Sequence, residues 1–173
     1  MRTFCTLLSG LIVTFVVNSA VAQGMPKSVH NQIDSNLIGD WGFTSSYDGE
    51  TSRGTLSVRW APGNHAAIAV QESKTAEDEQ HNVSLLGWES DKKAVVQHGF
   101  VSTGNHWTLR WTELGEATWK GTMTGAQDGQ PYESPATVNW KENSFELTAE
   151  MGGKPLVFEA VRMKAVSPES EDR

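Results

Sequence analysis

The stretch VNWKENSFELTAEMGGKPLVFEA, residues 138–160, holds three short runs of alternating residues separated by KENS at 141–144 and MGGK at 151–154. Successive side chains of a strand face opposite sides, so a correct turn must bring apolar faces together, and a slip of one residue turns a strand inside out. A two-residue loop at Glu142-Asn143 sets Trp140 against Phe145 and Val138 against Leu147. A second, at Gly152-Gly153, sets Leu147 against Phe158 and Phe145 against Ala160. Glycine supplies the positive φ that tight hairpins need. Three consecutive strands therefore share one apolar face.

The same pattern extends backward through the chain. Strands are expected near 38–47, 52–60, 65–73, 80–88, 94–101, 106–113, 117–124, 134–141, 144–151 and 155–163, divided by turn residues such as DG at 48–49, PGN at 62–64 and STGN at 102–105. No segment carries a long helical period, and links this short cannot make parallel crossovers. A loop at Asp48-Gly49 sets Trp41 against Leu56 and Phe43 against Gly54. One at Thr103-Gly104 sets Phe100 against Trp107, His98 against Leu109 and Val96 against Trp111. A three-residue loop at 114–116 brings Trp111 to Trp119.

The resulting inner face carries all seven tryptophans, together with Phe43, Phe100, Phe145, Phe158, Ile68, Val70, Val96 and other apolar residues. A one-faced sheet of this length with no covering helix buries its apolar side by curling onto itself, which also removes its edges. The fold expected is all-β, an antiparallel up-and-down meander of about ten strands closed into a barrel.

The first residues, MRTFCTLLSGLIVTFVVNSAVA, combine Arg2, an apolar run from Leu7 to Val17, and Ala20 and Ala22 about Val21. This is the pattern of a secretory signal cleaved after Ala22, with an apolar run too short to span a membrane comfortably. Residues 23–36 read as a linker or short helix, 37–164 as the barrel, and 165–173, ending in SPESEDR, as a disordered tail. The only cysteine, Cys5, falls within the signal, so the remainder has no disulfide and no thiolate ligand. With Arg2 removed, 13 basic residues stand against 21 acidic ones, a net charge of −8. Such a surface repels nucleic acid and anionic membrane. The expected location is secreted or periplasmic, with no membrane attachment once the signal is removed.

On the first strand, LIGDWGF at 37–43 holds Gly39-Asp40-Trp41. This Gly-x-Trp resembles the entry motif of lipocalin-like, or calycin, barrels and of small secreted bacterial families sharing that fold. The resemblance spans roughly residues 37–163 and implies a basic residue late in the barrel lying over the tryptophan. Arg162, in FEAVRMK, occupies the matching position, so Trp41 and Arg162 are expected to plug one end. In the haem-binding relatives the entry is longer, glycine-rich and followed by a proline, whereas here it continues as GFTSSY; haem does not carry over, and no cofactor is expected.

His98 is the one histidine this register turns inward, with Ser84 across from it as a hydrogen-bond partner. His65, His81 and His106 have no spacing that gathers metal ligands. Among the acids only Glu72 reads as inward, which leaves acid–base and nucleophilic chemistry without a framework. The ligand-binding candidates are Trp88, His98, Trp107, Leu109, Trp111 and Trp119. Ten strands leave a bore unless large residues fill it. The leading expectation is therefore a carrier or sensor for a small apolar or aromatic molecule, without chemistry of its own. A filled barrel acting through its outer surface is the rival, and an isomerase or lyase using the interior a more distant third. An interior pocket of about 300 Å³ or more separates the first from the second.

Overall fold

The computed structural model describes residues 24–75, 78–127 and 129–164. The expected signal at 1–22 and tail at 165–173 lie outside the described residues. One helix, α1 (Lys27–Asn36), precedes ten strands: β1 (Gly39–Tyr47), β2 (Glu50–Trp60), β3 (Ala66–Lys74), β4 (Glu79–Glu89), β5 (Ala94–Val101), β6 (His106–Leu114), β7 (Thr118–Gln127), β8 (Gln130–Lys141), β9 (Ser144–Met151) and β10 (Lys154–Arg162). Every strand pairs antiparallel with its sequence neighbours, and β1 pairs with β10 to close the barrel. The all-β, ten-stranded meander read from the sequence is the fold observed.

The turns explain most of the register. Asp48 and Gly49 both have positive φ, 52° and 82°, which suits the twist of a two-residue hairpin and sets Trp41 opposite Leu56. Gly152 and Gly153, at 59° and 77°, do the same between β9 and β10, where Leu147 meets Phe158 and Phe145 meets Ala160. Trp140 meets Phe145 across β8 and β9.

The β5–β6 hairpin departs from expectation. Its loop has three residues, 102–104, with Gly104 at φ 89° and the Val101 N–H donating to the Asn105 carbonyl at 2.9 Å. An odd loop reverses the parity of one strand relative to a two-residue loop. Gln97 therefore lies opposite Leu109, Val95 opposite Trp111 and Gly99 opposite Trp107, while Val96, His98 and Phe100 face outward. β3 is reversed as well: the four-residue turn at 62–65 carries inward Trp60 across to Ala67, so Ala67, Ala69 and Gln71 face in, and Ile68, Val70 and Glu72 face out. Between β6 and β7 a bulge separates Trp111 from Glu113, and Leu114 rather than Trp111 lies opposite Trp119.

α1 covers one end of the barrel. Val29, Ile33 and Leu37 recur every four residues, forming a single apolar face that is buried against the barrel interior. Three indoles hold the helix there: Trp41 Nε1 donates to the Leu37 carbonyl at 2.9 Å, Trp60 Nε1 to Asp34 Oδ1 at 2.9 Å and Trp119 Nε1 to Gln32 Oε1 at 3.0 Å. His30 stacks on Trp60 with ring centres 4.4 Å apart.

Candidate functional site

The helical end is plugged by side chains from both edges of the barrel's closure. Trp41 and Arg162 are directly opposite in the β1–β10 ladder, with the guanidinium carbon 4.2 Å from the indole centre. Its Nη1 donates to the Ile38 carbonyl at 2.7 Å and its Nη2 to the Ser35 carbonyl at 2.9 Å. Carbonyls at the end of a helix lack intrahelical donors and carry partial negative charge, which a cation satisfies on both counts. Gly39 makes room: at φ 143°, a Cβ there would sit 2.4 Å from Arg162 Nη1. The glycine of Gly-x-Trp thus admits the arginine that covers the tryptophan.

Above the plug lies a cavity of about 250 Å³. Its wall on the β6–β10 side is a chain of rings: Trp111 and Trp119 at 6.4 Å between centres, Trp119 and Trp140 at 5.4 Å, Trp140 and Phe145 at 5.3 Å, then Phe145 and Phe158 at 5.9 Å. Two of these pairs, Trp119 with Trp140 and Trp140 with Phe145, meet edge to face. The facing strands carry small or polar inward residues, Ala69, Gln71, Asn82, Ser84 and Gln97. The void exists because large rings on one side meet short side chains on the other.

Of the residues expected to bind ligand, Trp107, Leu109, Trp111 and Trp119 line this cavity. Trp88 packs partly buried against the core and is not among the lining residues. His98 is exposed on the outer wall, with Nδ1 2.9 Å from Thr108 Oγ1. The reversal of β5 gives its inward place to Gln97, whose Nε2 donates to Ser84 Oγ at 2.8 Å, the hydroxyl expected to serve the histidine. Glu72, the one acid read as inward, is exposed. Trp140 was recognised as an inner residue but not as cavity lining; its place opposite Phe145, known from the Glu142-Asn143 turn, already put it in the aromatic chain. Gln97 escaped notice because the face of β5 hangs on one loop residue.

Trp107 stands apart from the ring chain. It lies flat against Gly99, where a Cβ would come within 2.1 Å of its Cε2, so the glycine gives the indole its seat on the inner wall of β5. Two buried polar atoms of lining residues have no hydrogen-bond partner, Asn82 Oδ1 and Trp140 Nε1. Leaving such an atom unmatched costs about 1–3 kcal/mol. Among the described residues, none that lines the cavity is ionisable.

The other end of the barrel is bridged by Tyr47, whose hydroxyl donates to Gln127 Oε1 at 2.7 Å and lies 3.2 Å from the Met151 carbonyl. This contact joins β1 to β7, which are not neighbours in the sheet, and so spans the mouth. Beside it, burial and then the nearby Tyr47 push the Tyr132 phenol above its ordinary pKa. Among the described residues, no group of three or more His, Cys, Asp or Glu comes together, and no helix is long and apolar enough to cross a membrane.

Fold and site together define a closed ten-stranded antiparallel barrel, plugged by a helix at one end and hollow beneath an aromatic wall. No family model matches the chain, and no curated protein matches it. Among solved structures, the S-type phycobiliprotein lyase CPES from Guillardia theta is similar at a TM-score of 0.50 and 10% identity, over 81% of this chain and 93% of that one. A de novo designed fluorescence-activating β-barrel is similar at 0.49 and 12%, over 76% and 98%. The redesigned barrel mFAP0, bound to DFHBI, is similar at 0.44 and 12%, over 73% and 98%. At these identities the likeness is one of fold.

Proposed function

We propose that this protein is an exported carrier or sensor that takes one small, flat, uncharged aromatic molecule into its barrel. The observation that carries the reading is the 250 Å³ cavity walled by Trp107, Trp111, Trp119 and Trp140. At about 250 Å³ it falls below the roughly 300 Å³ that separates carrier from filled barrel, so size alone favours the filled barrel; what supports the carrier is that a cavity of about 150 Å³ is already large enough to accept benzene. The scale is that of one or two fused rings. Naphthalene added to the purified protein should quench tryptophan emission saturably, and Trp111→Ala should weaken the effect. Unchanged emission at saturating naphthalene would remove the carrier reading.

Export rests on the order of Arg2, apolar run and Ala20-Val21-Ala22. Mass spectrometry of protein recovered outside the cytoplasm should find it beginning at Gln23; recovery of the intact chain from Met1 would count against cleavage. The Gly39-x-Trp41 entry with Arg162 supports membership among lipocalin-like barrels.

A second reading has its own observation. Ile68, Val70, Val83, Leu85 and Phe100 are 39–67% exposed, and the ladders put Ile68 beside Leu85, and Val83 between Val70 and Phe100. Contiguous apolar surface of this kind marks interaction sites. If the outer wall of β3–β5 is the working surface, Phe100→Ser should abolish partner binding while leaving naphthalene uptake intact.

A further inference from the structure

Resting on the carrier reading, we infer that the ligand is a neutral planar heterocycle with a lactam-like edge, an N–H beside a C=O, rather than a plain hydrocarbon. The polar atoms of the cavity are not scattered. Gln71, Asn82, Ser84 and Gln97 come from the adjacent strands β3, β4 and β5, and Gln71 and Asn82 are direct partners in the ladder. Gln71 and Asn82 thus sit side by side facing a wall of rings, and Ser84 links them to Gln97, which lies opposite Leu86 further along β4. A primary amide presents a donor and an acceptor side by side, the complement of a lactam edge, just as Asn and Gln match the paired donor and acceptor of adenine.

This polar side is incompletely satisfied on its own. Gln97 and Ser84 bond to each other, but Asn82 Oδ1 is buried without a donor. A ligand N–H that draws this amide round supplies the missing bond, and its neighbouring C=O accepts from an amide NH2. Trp107, seated on Gly99 next in the β4–β5 ladder to Ser84, offers an indole close to the same polar side. Because none of the described lining residues is ionisable, a carboxylate or ammonium would meet no counter-charge among them, at a cost burial makes severe. The cavity therefore selects neutral ligands, and its polar side selects those with amide-like edges.

Isothermal calorimetry on the purified protein tests this with three probes of nearly equal size: quinolin-2(1H)-one, its N-methyl derivative and 2-methylnaphthalene. Quinolin-2(1H)-one should bind about tenfold or more tighter than either of the others. Asn82→Leu should erase that preference, and Gln71→Met should reduce it should the first variant fail to fold. Equal or tighter binding of 2-methylnaphthalene by the wild type overturns the lactam assignment but keeps the carrier reading. Binding of none of the three overturns both.

Discussion

Arg162 covers Trp41 at 4.2 Å and, from the same guanidinium, holds the Ser35 and Ile38 carbonyls at the end of α1. One side chain thereby ties the last strand to the first and both to the helical plug. Arg162→Ala should lower stability by about 2–3 kcal/mol, since it removes a cation–π contact and two charge-assisted hydrogen bonds together. Gly39→Ala should do comparable damage by denying the guanidinium its place. Combining them should cost less than the sum but more than Arg162→Ala alone, because both break the same contact while an alanine at φ 143° stays strained without the arginine. Additive losses in urea denaturation would show that Gly39 matters for another reason.

The strands and the closure were legible in the sequence, because each turn with Asp-Gly, Glu-Asn or Gly-Gly fixes its own parity and the apolar faces agree on both sides. The β5 face was not legible. Thr103-Gly104 suits a two-residue hairpin, and Gly104 at φ 89° equally suits a three-residue one; apolar matching favoured the shorter loop because Phe100, Val96 and Trp107 then shared a face. The barrel instead turns Ile68, Val70 and Phe100 to solvent and puts Ala67, Ala69 and Gln71 on the inner face of β3, and Gln97 and Gly99 on that of β5. Hydrophobicity alone cannot report which of two apolar faces the bore has room for. The helix was half visible, since residues 23–36 read as a linker or short helix, but nothing local showed that three indoles would hold it.

Trp41 and Trp111 provide an internal comparison. Trp41 is 1% exposed and packs edge-on to Phe145, whereas Trp111, 3% exposed, borders the cavity. Trp41→Ala should incur the full ~3–5 kcal/mol of a close-packed core ring. Trp111→Ala should cost less, because the cavity it borders lets neighbouring side chains relax into the space left. Chemical denaturation of the two variants measures the difference, and equal losses would mean the cavity wall is as tightly packed as the plug.

At the mouth, Tyr132 should ionise later than an exposed tyrosine, since burial and the neighbouring Tyr47 both disfavour its phenolate. With the folded pKa above the unfolded one, the folded state retains the proton longer. The associated stability is fully present below the ordinary phenol value of about 10 and is lost as pH rises from there through the folded pKa. Ultraviolet titration of tyrosinate should show late ionisation that Tyr132→Phe removes. The same variant should flatten the decline of stability above that pH.

Gly99→Ala tests the seat of Trp107 and, through it, the cavity. A Cβ at Gly99 would approach the indole to 2.1 Å, so the ring must leave the inner wall of β5. The space open to it is the void across from the aromatic chain, which the displaced indole would then occupy. Two consequences follow from that one movement. Stability should fall by about 1–3 kcal/mol, as for other additions to a packed interior, with the lower end favoured because the ring has somewhere to go. Naphthalene binding should be lost or reduced by about tenfold or more, because the volume that received it is now filled from within. Trp107→Leu introduced alongside Gly99→Ala should restore both, since the smaller side chain clears the new methyl group and reopens the void. A Gly99→Ala protein that binds naphthalene as tightly as the wild type would mean that the ligand lies away from Trp107, nearer the Trp119 and Trp140 end of the cavity.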